Sequence, residues 1–167
     1  RNEYTRNTLL GLLNNDLLKI MDVNLRPPFD REEVVKLLLE HADIVKLNDD
    51  EMMRISDWYG MEGSLRDRME AFRTFYSLAT LIVTRGKNGA CLIHHGIYHE
   101  HSGYRVQTVD TVGSGDAFLA GFLAALFDGK DMTVALTEAC AVGAFVATRA
   151  GATPEYNRAD LMGMIAP

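Results

Sequence analysis

The run Asp110-Thr111-Val112-Gly113-Ser114-Gly115-Asp116 opens directly into the apolar stretch Ala117-Phe118-Leu119-Ala120-Gly121-Phe122-Leu123-Ala124-Ala125-Leu126. Gly113 and Gly115 lack Cβ atoms, so the backbone can turn tightly and bring free N–H groups together where the positive end of the following helix dipole points. Such a hole suits a phosphate. A carboxylate repels phosphate and is a poor choice for holding it. Asp116 beside the hole therefore points to a base that takes a proton from an incoming nucleophile. The chemistry that fits this spacing is phosphoryl transfer to a hydroxyl. Helix capping and turn formation are ordinary roles for the same residue types. The density of glycines and acids ahead of a small-residue helix is what favours chemistry. Two other phosphate motifs are excluded: there is no GxxxxGK[ST], and Phe118 stands where GxGxxG requires its third glycine.

Four further constellations carry polar groups at useful spacings. Asp22-Val23-Asn24-Leu25-Arg26-Pro27-Pro28 follows an expected strand, at the carboxyl end where ligands bind in open parallel sheets. A strand exit closed by a salt bridge and two prolines accounts for it equally well. Asn48-Asp49-Asp50-Glu51 places two oxygen-bearing side chains three positions apart at a helix start, enough for a Mg²⁺ that keeps its waters. Asn48 is also a good N-cap, and acids stabilise any first turn. Thr84-Arg85-Gly86-Lys87-Asn88-Gly89 reads as a tight turn into a hairpin, and Thr148-Arg149-Ala150-Gly151-Ala152 as a glycine-terminated helix. His94, His95, His99 and His101 crowd one short region. No acidic or cysteine ligand set accompanies them at a familiar zinc spacing, so exposed strand positions are expected.

The elements that position these residues follow from hydrophobic periodicity. Short β-rich runs alternate with helical-period stretches, the mark of βαβ units and a parallel sheet. Strands are expected at Leu18–Val23, Ile44–Leu47 and Leu81–Thr84. Helices are expected as a helix end at Thr8–Asn14, then at Arg31–His41 with Asp30 as cap, Asp49–Trp58 and Leu65–Leu78. Ala90–His95 and Ile97–His101 around Gly96 read as a hairpin, an antiparallel edge rather than another βα unit. Helices at Gly115–Phe127, Met132–Arg149 and Asn157–Ile165 complete the chain, the second apolar nearly all round and hence buried.

The Asp110–Asp116 segment and its small-residue helix resemble the DTxGAGD signature of the ribokinase-like (PfkB-type) carbohydrate kinases, with Ser114 in place of a common alanine. The resemblance implies that Asp116 is the catalytic base and that Gly113, Ser114 and Gly115 form the anion hole. Asp22, Asn24 and Arg26 match the DxNxR segment of the fructokinase and 2-keto-3-deoxygluconate kinase branch, which lies near the sugar and the transferred phosphate. Asn48 and Glu51 resemble the NxxE motif that organises Mg²⁺ largely through water. Thr84, Gly86 and Gly89 resemble the T-x-G-x-x-G nucleotide loop, and Gly151 and Ala152 the turn beside adenine. Asp110 becomes a candidate for the monovalent-cation site, K⁺, of many relatives.

The fold expected from the resemblance is ribokinase-like α/β, a mostly parallel sheet with helices on both faces and an antiparallel hairpin near the nucleotide site. The activity expected is ATP-dependent, Mg²⁺-assisted phosphorylation of a sugar hydroxyl. Ribokinase and nucleoside-kinase chemistry, or a non-catalytic nucleotide-binding or interaction module, stand as alternatives. The family's N-terminal glycine-rich sugar-binding segment and small β lid have no match here. Residues 1–167 are thus expected to form the C-terminal part of one domain, a fragment whose homodimer contacts would lie in that lid.

Composition narrows the partners. A chain of 167 residues that is 47% hydrophobic buries one core. A net charge of −6 argues against general nucleic-acid binding, which needs clustered Lys and Arg, and favours a small-molecule substrate. No apolar run reaches the roughly 18–20 residues that span a bilayer, and Arg1–Arg6 lacks a signal peptide's apolar stretch. Cys91 and Cys140, far apart, read as core thiols of a reducing compartment, so a cytoplasmic location is expected.

Overall fold

The computed structural model describes residues 2–28 and 30–165. In order along the chain it contains α1 (Glu3–Leu13), β1 (Ile20–Asp22), α2 (Glu32–Leu39), β2 (Ile44–Asn48), α3 (Asp49–Asp57), α4 (Leu65–Tyr76) and β3 (Thr80–Thr84). A single turn of 3₁₀-helix, Gly86–Asn88, leads to β4 (Ala90–His94) and β5 (Ile97–His101). The helices α5 (Ser114–Phe127), α6 (Met132–Ala147) and α7 (Arg158–Ile165) follow.

The five strands form one sheet in the order β1-β2-β3-β4-β5. β1, β2 and β3 are mutually parallel, with Asp22 opposite Lys46 and Asn48 opposite Thr84. β4 returns antiparallel to β3, and β5 antiparallel to β4, so the sheet is mixed. The turn between β4 and β5 puts both His95 (φ 47°) and Gly96 (φ 84°) in the left-handed region, the backbone of a two-residue hairpin whose twist suits its strands.

Period-two alternation sorts the strands onto two cores. Val45, Leu47, Leu81, Val83, Cys91 and Ile93 face one side and pack with α2, α3 and α4 through Val35, Leu39, Met52, Ile55, Met69 and Phe72. Ile44, Ile82, Ala90 and Leu92 face the other and pack with α5 and α6 through Phe118, Phe122, Ala125, Ala135, Leu136 and Ala139. The result is three layers, helices on both faces of a sheet buried on both sides.

Local signals set most helix starts. Asn48 and Glu51 form a reciprocal capping box at α3, and Ser64 and Asp67 form another at α4. Asp131 caps α6 by accepting from the Thr133 N–H. The expected cap at α2 differs: Arg31 occupies the N-cap position without a side-chain bond, and Asp30 instead pairs with Arg54 at 2.7 Å. Several ends also differ. β1 is limited to three residues, while α4 and α6 close two residues before Leu78 and Arg149; the helix end expected at Thr8–Asn14 is that of α1.

Candidate active site

Gly113 has φ 77° and precedes the first helical residue of α5. A side chain there is excluded twice over, since a Cβ would also lie 2.4 Å from the Ala152 carbonyl oxygen. The Ser114 N–H, expected in the anion hole, instead donates to the Thr111 carbonyl at 3.2 Å and offers no free donor there, while the Ala117 N–H returns to the Gly113 carbonyl at 2.8 Å. Among the described residues the N–H groups of Gly113, Gly115 and Asp116 have no hydrogen-bond partner. These free donors sit at the positive end of a helix of 14 residues, which is an anion-binding arrangement. Asp116 lies in that first turn, exposed. Its carboxylate makes no ion pair or hydrogen bond with the described residues, so it is free to meet an incoming hydroxyl.

Asp110 fixes the approach to this hole. Its Oδ1 accepts from the Val112 N–H at 3.0 Å and its Oδ2 from the Gly151 N–H at 3.2 Å, tying the glycine loop to the turn at Gly151 and Ala152. These backbone donors hold its carboxyl below the usual carboxylate range. The Val109 N–H donates to the Ala147 carbonyl at 2.8 Å, anchoring the same loop to the end of α6.

A cleft of about 870 Å³ opens beside the hole. It brings Thr84, Gly86 and Gly89 together with Ser114, Gly115, Phe118, Gly143 and Ala144, a volume and a glycine-rich wall suited to a nucleotide. Gly151 and Ala152 are not part of its lining; they touch the hole through Gly113 and Asp110. Arg85 braces the loop from outside, its guanidinium donating to Glu100 at 2.6 Å and to the His101 carbonyl at 3.3 Å.

The polar residues after β1 and β2 lie at the carboxyl ends of neighbouring parallel strands. Glu51 joins them: one oxygen accepts from the Leu25 N–H at 2.8 Å, the other from the Asn48 N–H at 2.9 Å, while Asn48 accepts from the Glu51 N–H at 2.8 Å. Asn24 is exposed with φ 44°, and Arg26 is exposed without an ion pair among the described residues. Asp22, by contrast, is turned inward. Both its oxygens accept from the Lys46 ammonium, at 3.1 and 2.9 Å, so the three alternate positions do not share one crevice.

Lys46 is the residue that motif reading missed. Its side chain is only 7% exposed, and a Cβ on Gly115 would stand 3.2 Å from its Nζ. The sequence signal was a lone charge inside the apolar run Ile44-Val45-Lys46-Leu47.

The histidines form no metal centre: no group of three potential ligands of the Asp, Glu, His and Cys types gathers among the described residues. Each ring is instead engaged locally or exposed. His94 bonds Thr80 at 2.8 Å, His99 bonds Thr133 at 3.1 Å and His101 accepts from the Gly103 N–H at 3.0 Å. Only His95 is exposed; the other three are half-buried, which corrects the expectation of exposed strand positions. Helix α6 covers that face of β5 and supplies Thr133.

Residues 12–158 match the family described as pfkB family carbohydrate kinase. A fructokinase from Escherichia coli is 33% identical over 142 residues, 78% of this chain and 45% of that protein. The chain thus spans less than half the length of most of the curated relatives it matches. A double-mutant fructokinase from Vibrio cholerae O395, solved with fructose, ADP and a potassium ion, superposes with a TM-score of 0.84 at 24% identity, over 98% of this chain and 56% of that one. A ribokinase from Thermotoga maritima gives 0.78 at 24% identity, over 96% and 52%. The fold is ribokinase-like, and the chain belongs to the pfkB family of carbohydrate kinases.

Proposed function

We propose that this chain carries the nucleotide cleft, anion hole and base of an ATP-dependent kinase that phosphorylates a sugar hydroxyl. The observation that carries the reading is the unpaired Asp116 carboxylate in the first turn of α5, beside three backbone N–H groups without partners. In the reaction, Asp116 accepts the proton of the sugar hydroxyl as its oxygen bonds to the γ-phosphorus of ATP. The bond from that phosphorus to the β-bridging oxygen breaks, and ADP leaves. Charge spread over the equatorial oxygens of the transferring group meets the N–H groups of Gly113, Gly115 and Asp116 and the helix dipole, which are oriented before the substrate arrives.

The cleft lined by Thr84, Gly86 and Gly89 takes the nucleotide, while Gly151 and Ala152, outside that lining, support the glycine loop through Asp110 and Gly113 rather than meeting adenine. Asn48 and Glu51 fit a hydrated Mg²⁺ because each oxygen that accepts one N–H keeps a lone pair for a metal-bound water. Mg²⁺ held there through its waters would supply charge neutralisation for the phosphates. Asp110 is an anion at neutral pH and fits the edge of a K⁺ site in the same way. Asn24 and Arg26, exposed past β1, face the acceptor side, and Arg26 has the planar fork suited to a phosphate or sugar acid. The Asp22-Val23-Asn24-Leu25-Arg26 pattern favours fructose or a 2-keto-3-deoxygluconate-type acceptor. A cytoplasmic setting belongs to the same reading, supported by Cys91 and Cys140, both free and buried.

The test is sugar-dependent ADP release by the intact gene product with Mg·ATP and a panel of fructose, 2-keto-3-deoxygluconate, ribose and nucleosides. The expected result is release with fructose or 2-keto-3-deoxygluconate above the rest. ATP binding without release for any acceptor overturns the catalytic reading in favour of a nucleotide-binding module.

A further inference from the structure

Lys46 occupies a position that a folding role alone explains poorly. It projects from the centre of β2 toward α5, on the face that otherwise carries Ile44 and Ile82. Burying an ammonium and a carboxylate there is at best a marginal source of stability, since two apolar side chains of similar volume serve a sheet interior as well or better. The pair is also placed at one special point. The Lys46 Nζ lies against Gly115, close enough that even a methyl group on that residue would crowd it at 3.2 Å, and Gly115 carries one of the unpartnered N–H groups of the hole.

Two of the three ammonium protons are taken by Asp22 Oδ1 and Oδ2. Among the described residues no acceptor takes the third. The partial charges of a helix start amount to about half an elementary charge, whereas a nucleoside triphosphate brings several negative charges to one place. The Asp22–Lys46 pair is neutral overall but presents its positive end to the hole, and at 7% exposure of the Lys46 side chain that end is little screened by water and adds to the field of the helix start.

We propose that Lys46 is the fixed cation of the anion hole, with Asp22 holding its ammonium at Gly115 so that polyphosphate binds in proportion to its charge. This rests on the nucleotide reading above. It assigns Asp22 a positioning role through Lys46 rather than direct contact with the sugar, and a Cβ at Gly115 would push the ammonium by a few tenths of an ångström. Lys46 acts from behind the backbone as an electrostatic residue for the terminal phosphates of the nucleotide, leaving the adenosine end of the cleft unaffected.

The test compares wild type with K46M and with the charge-neutral pair D22N/K46M, which leaves no lone buried carboxylate and so keeps the fold where K46M alone fails. Calorimetric binding of AMP, ADP, ATP and inorganic tripolyphosphate is measured for each, with thermal unfolding as the control. The expected result for the folded double variant is unchanged AMP affinity and a loss that grows with phosphate number, reaching roughly tenfold or more for ATP and tripolyphosphate. K46R, which keeps the charge, restores part of that loss. A merely structural role would weaken all four ligands alike or none. Wild-type ATP binding that the double variant retains in full, or a loss equal for AMP and ATP, overturns the role of Lys46 and leaves the kinase reading standing. Wild-type protein that binds none of the four overturns both.

Discussion

Single residues at the hole are each held for a reason that a substitution exposes. Gly113 combines φ 77° with a Cβ position 2.4 Å from the Ala152 carbonyl oxygen. Gly113→Ala is expected to lower stability by about 1–3 kcal/mol and to abolish ATP binding, measured by urea unfolding and calorimetry; wild-type affinity in a folded variant contradicts the geometry of the hole. Glu51 ties α3 to the β1 exit through the N–H groups of Asn48 and Leu25. Glu51→Ala removes the capping box of α3 and the acceptor of the part-buried Leu25 N–H, the exposed Asn48 N–H turning to water, and is expected to lose about 0.5–2 kcal/mol, visible as a lower urea midpoint. Gly113, Asp116 and Glu51 were singled out in the sequence as members of short local patterns, although the contacts of Gly113 with Ala152 and of Glu51 with Leu25 leave no local trace. Lys46 was not, because its meaning depends on facing Asp22 across two strands and Gly115 across a layer, and no local pattern records either contact.

At the scale of elements, the β4–β5 hairpin illustrates what periodicity reads and what it leaves out. Gly96 and the flanking β-rich runs announced the turn, whose two residues both adopt positive φ. The histidines on it were expected in solvent because alternation describes one sheet face at a time and does not say which helix lies over it. The structure sets α6 there. Burial holds His94 below the usual histidine value of 6.5, with His95 and His99 opposing its charge further, and burial alone lowers His101 in the same direction. The folded chain then binds fewer protons than the unfolded chain as pH drops below 6.5, so stability present above that pH declines below it. Urea midpoints measured across this range are expected to fall with acidity, and H94Q/H101Q is expected to flatten the decline. An unchanged slope in that variant places the sensitivity in other groups. The α2 start shows a second limit: Asp30 has the chemistry of a cap, yet its carboxylate is drawn to Arg54 on α3, a choice set by tertiary proximity.

For the molecule as a whole, two cores share one sheet, and the site lies where the parallel strands, α3 and α5 all end or begin. Alternating strands and helices made the layered architecture readable, while the distribution of helices between faces required the register of Val45 and Leu47 on one side and Ile44 and Lys46 on the other. Ile55 and Ile82 are fully buried in different cores. Ile55→Val and Ile82→Val are each expected to cost about 0.5–1.5 kcal/mol, and the double variant to show their sum within about 0.5 kcal/mol in one urea transition. A sum that fails by more than that shows the two cores to be coupled through the sheet. The core that contains Ile44 and Ile82 packs α5 against the sheet, so that its first turn faces the cleft lined by Thr84, Gly86 and Gly89. The central claim is that Asp116 removes the proton of a sugar hydroxyl at this hole, and Asp116→Asn in the intact gene product tests it most directly by measuring sugar-dependent ADP release alongside ATP affinity. The account predicts that release falls by roughly 10²–10⁴-fold while ATP affinity holds at the wild-type value. Release at the wild-type rate contradicts it.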